Sequence, residues 1–225
     1  MKKKPQFTDR ESRFLHASVE LRQAQNEDEK SSRIFGYASK FNLESEKLRA
    51  KDERGGIFEF REVIANGAFD DVLNDDVRAL FNHESELILA RSKNGEGSLK
   101  IGVDNVGLWY EFEAPDTQAG RDLVTSMRRG DVDQSSFTFK VAEGGDKWEK
   151  LEDGTLRRTI FKIAKLLDVS PVTYPAYVDT TAAMRSLEEF QHSEPEKREE
   201  ETEDNSLSHW QRRMGLIDKP ASNQQ

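Results

Sequence analysis

Three segments of this chain hold side chains that could act together on a carbonyl group. Ala79-Leu80-Phe81-Asn82-His83-Glu84 ends an apolar run on a histidine, and Gln134-Ser135-Ser136-Phe137-Thr138-Phe139 carries two adjacent hydroxyls. In the third, Leu166-Leu167-Asp168-Val169-Ser170-Pro171-Val172-Thr173-Tyr174-Pro175-Ala176, a carboxylate stands inside an apolar stretch. An imidazole, a hydroxyl and a carboxylate are the parts of a general base, a nucleophile and the group that orients the base. Residue types alone leave plainer readings open: a surface histidine at a strand end, a serine that only packs, an aspartate paired with a lysine. No spacing rule links residues so far apart in sequence. Other chemistries are poorly provided for. With no cysteine there is no disulfide, thiolate metal site or cysteine nucleophile, and the four histidines (His16, His83, His192, His209) are too scattered to read as a zinc cluster. Neither a cofactor nor a metal is expected.

Strands must position these groups. Leu108, Tyr110 and Phe112 alternate with Trp109, Glu111 and Glu113, the two-residue period of a half-buried strand. Ser135, Phe137, Phe139 and Val141 alternate likewise with Ser136, Thr138 and Lys140, so Ser136 falls on a polar face opposite the aromatic one. Further strands are predicted at 34–41, 57–63, 77–81, 98–103 and 156–169, with Asn94-Gly95 and Asp153-Gly154 as turn signals. The spacing of Phe69, Val72 and Leu73 predicts one helix, and that of Leu123, Val124 and Met127 a second, stopped by Gly130. Many short strands with few helices predict a mainly β (α+β) fold: a closed or nearly closed antiparallel β-barrel, which removes exposed edges, with a few surrounding helices.

Charge marks out the ends. The chain has 225 residues, 34 Lys plus Arg against 43 Asp plus Glu, and a net charge of −9. Residues 188–225 hold ten acidic and five basic side chains, so this stretch carries −5 of that total. Its run EPEKREEETED has no apolar residue, the signature of a solvated, disordered segment, while SLSHWQRRMGLI after it is weakly amphipathic. The reading therefore divides the chain into an N-terminal extension at 1–32, partly disordered, a folded domain at 33–187 and an acidic, disordered tail at 188–225. No apolar run approaches the ~20 residues that span a bilayer, and no apolar stretch follows the N-terminal lysines, so neither a membrane span nor a secretory signal is expected. An acidic chain without a basic stripe interleaved with aromatics does not fit a nucleic-acid partner.

The order FNHE, ILAR, GSLKIGVDNVGLWYEFEAPDTQAGRDLVTSMRRGDVDQSSFTFKV and LLDVSPVTYPAYVDTTAAMR, over residues 33–185, resembles the prohead (capsid maturation) proteases of HK97-type tailed phages. The resemblance implies a serine endopeptidase whose fold is similar to the herpesvirus capsid-maturation proteases, a β-barrel with surrounding helices. It implies His83 as the base, Ser136, just before the first aromatic of its segment, as the nucleophile, and Asp168, before Val-Ser in the last strand, as the third member. This chain departs from the family's common Met-Ser-Phe-Gly-Phe by having Ser135 for the methionine and Thr138 for the glycine, and its acidic member is an aspartate where relatives often have glutamate. Of the adjacent serines, strand alternation selects Ser136. Glu84, next to the histidine, is a rival for the orienting role.

The implied substrates are the scaffolding segment of the major capsid protein and the protease itself, which processes itself and could form a homo-oligomer. The implied place is the host cytoplasm, inside the procapsid. The tail at 188–225 would dock to scaffold and be self-cleaved. A non-enzymatic capsid assembly or scaffold protein on the same barrel is the alternative, since fold does not dictate function; His83, Ser136 and Asp168 all standing in their motif positions favours the enzyme. Backbone N–H groups near Arg129 and Gly130 are candidate oxyanion donors by the same resemblance, against the simpler reading of Arg128-Arg129 as a cationic helix end.

Overall fold

The structure, a computed structural model, describes residues 10–15, 19–23, 32–51 and 57–174, with helical residues 183, 186, 187, 190 and 191 beyond them. The chain divides into two units, Met1–Met184 and Arg185–Gln225. In the second, Ser186, Leu187, Phe190 and Gln191 are helical. The rest of the tail expected at 188–225, its acidic run and its amphipathic segment included, lies outside the described residues.

The first unit is mainly β, built of three sheets. The largest runs in the order β1 (Glu11–Leu15), β11 (Gln134–Val141), β14 (Ile163–Val172), β6 (Val77–Leu80), β7 (Ile88–Lys93) and β8 (Glu96–Gly97). The second runs β2 (Val19–Gln23), β3 (Ser32–Lys40), β10 (Gly107–Glu113), β9 (Leu99–Val103), and the third β12 (Asp146–Lys150), β13 (Leu156–Ile160), β5 (Ile57–Ile64), β4 (Leu48–Lys51). The strand periods fix the core. Phe137 and Phe139 stack on one face of β11 with centroids 4.9 Å apart, and Phe69 meets Phe137 edge-on at 5.7 Å. Leu108, Tyr110 and Phe112 of β10 are buried in the same cluster, as are Leu166 and Val169 of β14.

Several expectations need correcting. The ladders do not close into a barrel, and two pairings, β13 with β5 and β14 with β6, are parallel. Alternation reports which face of a strand is buried, not which strand lies beside it, so stacked open sheets and a closed one leave the same trace. The stretch 156–169 is two strands in different sheets, separated at Phe161-Lys162. The helix expected at Phe69 is a chain of turns: Ala68, Asp70, Val72 and Asp75 donate to carbonyls three residues back. Phe69 and Val72 are still buried and Leu73 half-buried, but Asn66, Gly67, Asp70, Asp71, Asn74 and Asp75 are poor helix formers. One α-helix of regular length, α1 (Gln118–Arg129), is found among the described residues; Thr117 caps its start and Gly130, at φ 80°, its end. Finally, the extension proposed at 1–32 contributes two strands to the sheets. β1 carries charges at alternate positions, Glu11 and Arg13, which conceal its burial from a hydropathy reading.

Candidate active site

Three neighbouring strands position the three groups. β14 lies between β11 and β6, with Ser136 opposite Ser170 and Thr138 opposite Asp168 in the antiparallel ladder. His83 follows the end of β6 in a turn. The period of two points Ser136, Thr138, Asp168 and Ser170 to one face of the sheet.

They meet there. Asp168 Oδ1 lies 2.5 Å from His83 Nδ1, and His83 Nε2 lies 2.7 Å from Ser136 Oγ. An ionised carboxylate only accepts, so this contact puts the proton on Nδ1 and leaves Nε2 to accept from the hydroxyl. Ser170 donates its hydroxyl to the same Oδ1 at 2.9 Å, and Thr138 Oγ1 stands 3.2 Å from Nδ1. Ser136 and Ser170 are fully buried. The face read as polar is therefore not a wet one: the His83 imidazole contacts Ser136, Thr138 and Asp168 on it. Ser135, one residue away, points into the core, where its hydroxyl bonds Tyr110 Oη at 2.9 Å. Burial pushes the Tyr110 phenol far above its ordinary range, so it stays protonated.

The backbone of the histidine turn is strained. Asn82 and His83 have φ of 55° and 60°, successive left-handed residues that cost about 1–2 kcal/mol each outside glycine. Asn82 is among the residues that tolerate this region best. Its N–H donates to the Pro171 carbonyl at 3.1 Å and its Oδ1 accepts from the Thr173 N–H at 2.9 Å, tying the turn to the end of β14. Sequence reasoning singled out neither Asn82 nor Ser170. Asn-His after an apolar strand was the available signal for the first; nothing in the sequence marks the second. Glu84 is exposed, and the carboxylate that meets His83 is Asp168. The N–H of Gly130 donates to the Met127 carbonyl and closes α1, and Arg129 pairs with Asp131, so this turn is occupied in ending a helix.

β1 lies along the free edge of β11, Arg13 opposite Phe137 and Phe14 opposite Ser136. Buried ion pairs hold it. Arg13 makes a bidentate contact with Glu62 of β5 at 2.5 and 2.7 Å, and Arg158 of β13 holds Glu11 at 2.6 and 3.0 Å and Asp146 at 2.6 Å. Burial works against both guanidinium charges, but the carboxylates outweigh it and raise both pKa values. Burial likewise opposes the Glu11 charge, and Arg13 and Arg158 outweigh it, lowering its pKa.

Residues 17–193 match the family model described as caudovirus prohead serine protease. The chain belongs to that family. It is thus a prohead serine protease, in agreement with the resemblance its motifs carry. Among solved structures it is similar to the bacteriophage T4 capsid assembly protease, at 12% identity over 73% of this chain and 99% of that one, with a TM-score of 0.36. No curated protein sequence matches the chain. Among the described residues, no helix is long and apolar enough to cross a membrane, and no group of three or more His, Asp or Glu is arranged to hold a metal ion.

Proposed function

We propose that this prohead protease works through Ser136, His83 and Asp168. His83 Nε2 takes the Ser136 proton as Oγ attacks a peptide carbonyl carbon, and Asp168 holds the imidazole in its tautomer and stabilises the imidazolium. The imidazolium then protonates the leaving amine, and water, activated by the same base, releases the acyl group from Oγ. The observation that carries this reading is the unbroken line of contacts Asp168 Oδ1 to Nδ1 and Nε2 to Oγ, at 2.5 and 2.7 Å, in a member of a serine protease family.

The substrates of this reading are the scaffolding segment of the major capsid protein and the chain itself, acted on inside the procapsid, where confinement raises local concentration so that modest affinity suffices. The acidic tail at 188–225 docks to scaffold and is trimmed in the process; a homo-oligomer is compatible with this. The herpesvirus-protease likeness belongs to the same proposal and rests on the sequence motifs. Co-expression with the capsid protein tests it. Wild type shortens the capsid subunit and loses part of its own tail by mass spectrometry, whereas Ser136→Ala leaves both at full mass. Equal processing by the two chains would remove Ser136 from the reaction.

A further inference from the structure

The hydroxyl of Ser136 has one proton and a second neighbour that can take it: it donates to the backbone carbonyl of Arg13 at 2.7 Å. The carbon of that carbonyl, one bond of about 1.23 Å farther, lies within about 4 Å of Oγ. Adding an antiparallel strand to the edge of the nucleophile's strand is a general way for a site to hold a peptide; here the carbonyl oxygen rather than the carbon faces Oγ, so β1 occupies the site without standing in the attack pose. β1 also precedes residue 17, where the family match begins. Its side chains fill two charged sites on the far face of the sheet. Arg13 sits on Glu62, over the Phe139 ring at 5.5 Å, and Glu11, two residues earlier on the same face, sits on Arg158. Arg13 and Glu62 border a cavity of about 690 Å³, so the arginine site opens into free space. The intervening Ser12 faces the other way, bonding Thr138 at 3.0 Å.

We infer that β1 is the chain's own copy of the peptide this site accepts: an extended segment with arginine before the bond to be cut, chosen by Glu62, and an acidic residue two positions earlier, chosen by Arg158. The inference rests on Ser136 being the nucleophile. In the cut, Oγ bonds to the arginine carbonyl carbon, the bond to the next nitrogen breaks with the proton passing through His83 to that nitrogen, and water returns the serine hydroxyl and an arginine carboxylate. While β1 stays, its carbonyl competes with His83 for the serine proton and excludes other peptides. The tail contains one acidic-x-Arg triplet, Glu196-Lys197-Arg198, which places self-trimming between Arg198 and Glu199.

The test is a panel of peptides with the sequence of residues 9–18, in which the position of Arg13 is Arg, Lys, citrulline or Glu and that of Glu11 is Glu or Gln. It is run on the full chain and on Arg13→Ala, which frees β1 while Glu62 keeps Arg158 at 3.1 Å. A fluorophosphonate label on Ser136 is read in parallel. Cleavage is expected after arginine, with kcat/KM at least about tenfold lower for citrulline and about a hundredfold lower for Glu, since a buried charged pair is lost or reversed. The Glu-to-Gln change costs a smaller factor, and Arg13→Ala cuts faster with the same ranking. In Glu62→Gln the advantage of arginine over citrulline disappears; should that variant not fold, the panel on the native chain still decides. Labelling of Ser136 with no preference for arginine, with no peptide cut, or with tail trimming at another bond overturns the inference and leaves the nucleophile standing. No labelling and no cleavage in either chain removes both.

Discussion

The two faces of β11 differ more than their residue types imply. Ser135 and Ser136 are adjacent, chemically identical and both fully buried. One hydroxyl meets a phenol held neutral by the core; the other meets an imidazole backed by a carboxylate. A buried hydroxyl on a neutral partner contributes stability of about 1 kcal/mol, whereas one beside a base can be turned into a nucleophile. Burial therefore does not distinguish the two serines here. The partner does, and the partner is chosen by the alternation of a single strand.

Substitutions can break this contrast, and on the proposed mechanism the largest effects are expected on the face of Ser136. Ser136→Ala should lower peptide cleavage by about 10⁴-fold or more while the chain still folds, as read by circular dichroism, and Ser135→Ala keeps most of the activity. The reverse pattern would exchange the roles of the two faces. Asp168→Asn should also cost on the order of 10⁴ in kcat, because the amide can no longer hold Nδ1–H; a loss under tenfold would move the orienting role elsewhere, with Glu84→Gln, expected to be silent, as the check.

Positioning effects come next. Asn82→Ala forces alanine into the left-handed region and frees the Thr173 amide, so His83 shifts; about a hundredfold loss in kcat is expected, since a displacement near 1 Å has that cost. Asn82→Gly restores the backbone freedom but not the side-chain bond. It should recover part of the loss, and a glycine variant no better than alanine would reject the strain argument. On the core face, Ser135→Ala strands the Tyr110 hydroxyl and should destabilise by about 1–3 kcal/mol, read by denaturant midpoint.

The smallest effect concerns pH. The Glu11 pKa is lowered in the folded chain, so its contribution is present above the unfolded value near 4.5 and lost as pH falls through the folded value. Hydrogen exchange should therefore show β1 losing protection on acidification below about pH 4.5 before β10 does, and less steeply in Glu11→Gln. Simultaneous loss in the two strands would mean that the buried ion pairs do not govern the docking of β1.

Much of the fold was legible in local pattern. The strands carrying Leu108, Tyr110 and Phe112, and Phe137 and Phe139, follow from a period of two, and α1 from its apolar spacing and the glycine that ends it. The families of residues that could do chemistry, and the choice of face for Ser136, were legible for the same reason: side-chain direction along a strand is a local property. Strand partners are not local. That β14 lies parallel to β6 and antiparallel to β11 is decided by how three sheets bury their apolar faces together, and this brings Asp168 to a histidine 85 residues away. The place of β1 was the least legible element. Among its described side chains the buried ones are Glu11 and Arg13, which read as solvent-exposed until Glu62 and Arg158, from two other strands, supply the opposite charges that make their burial tolerable.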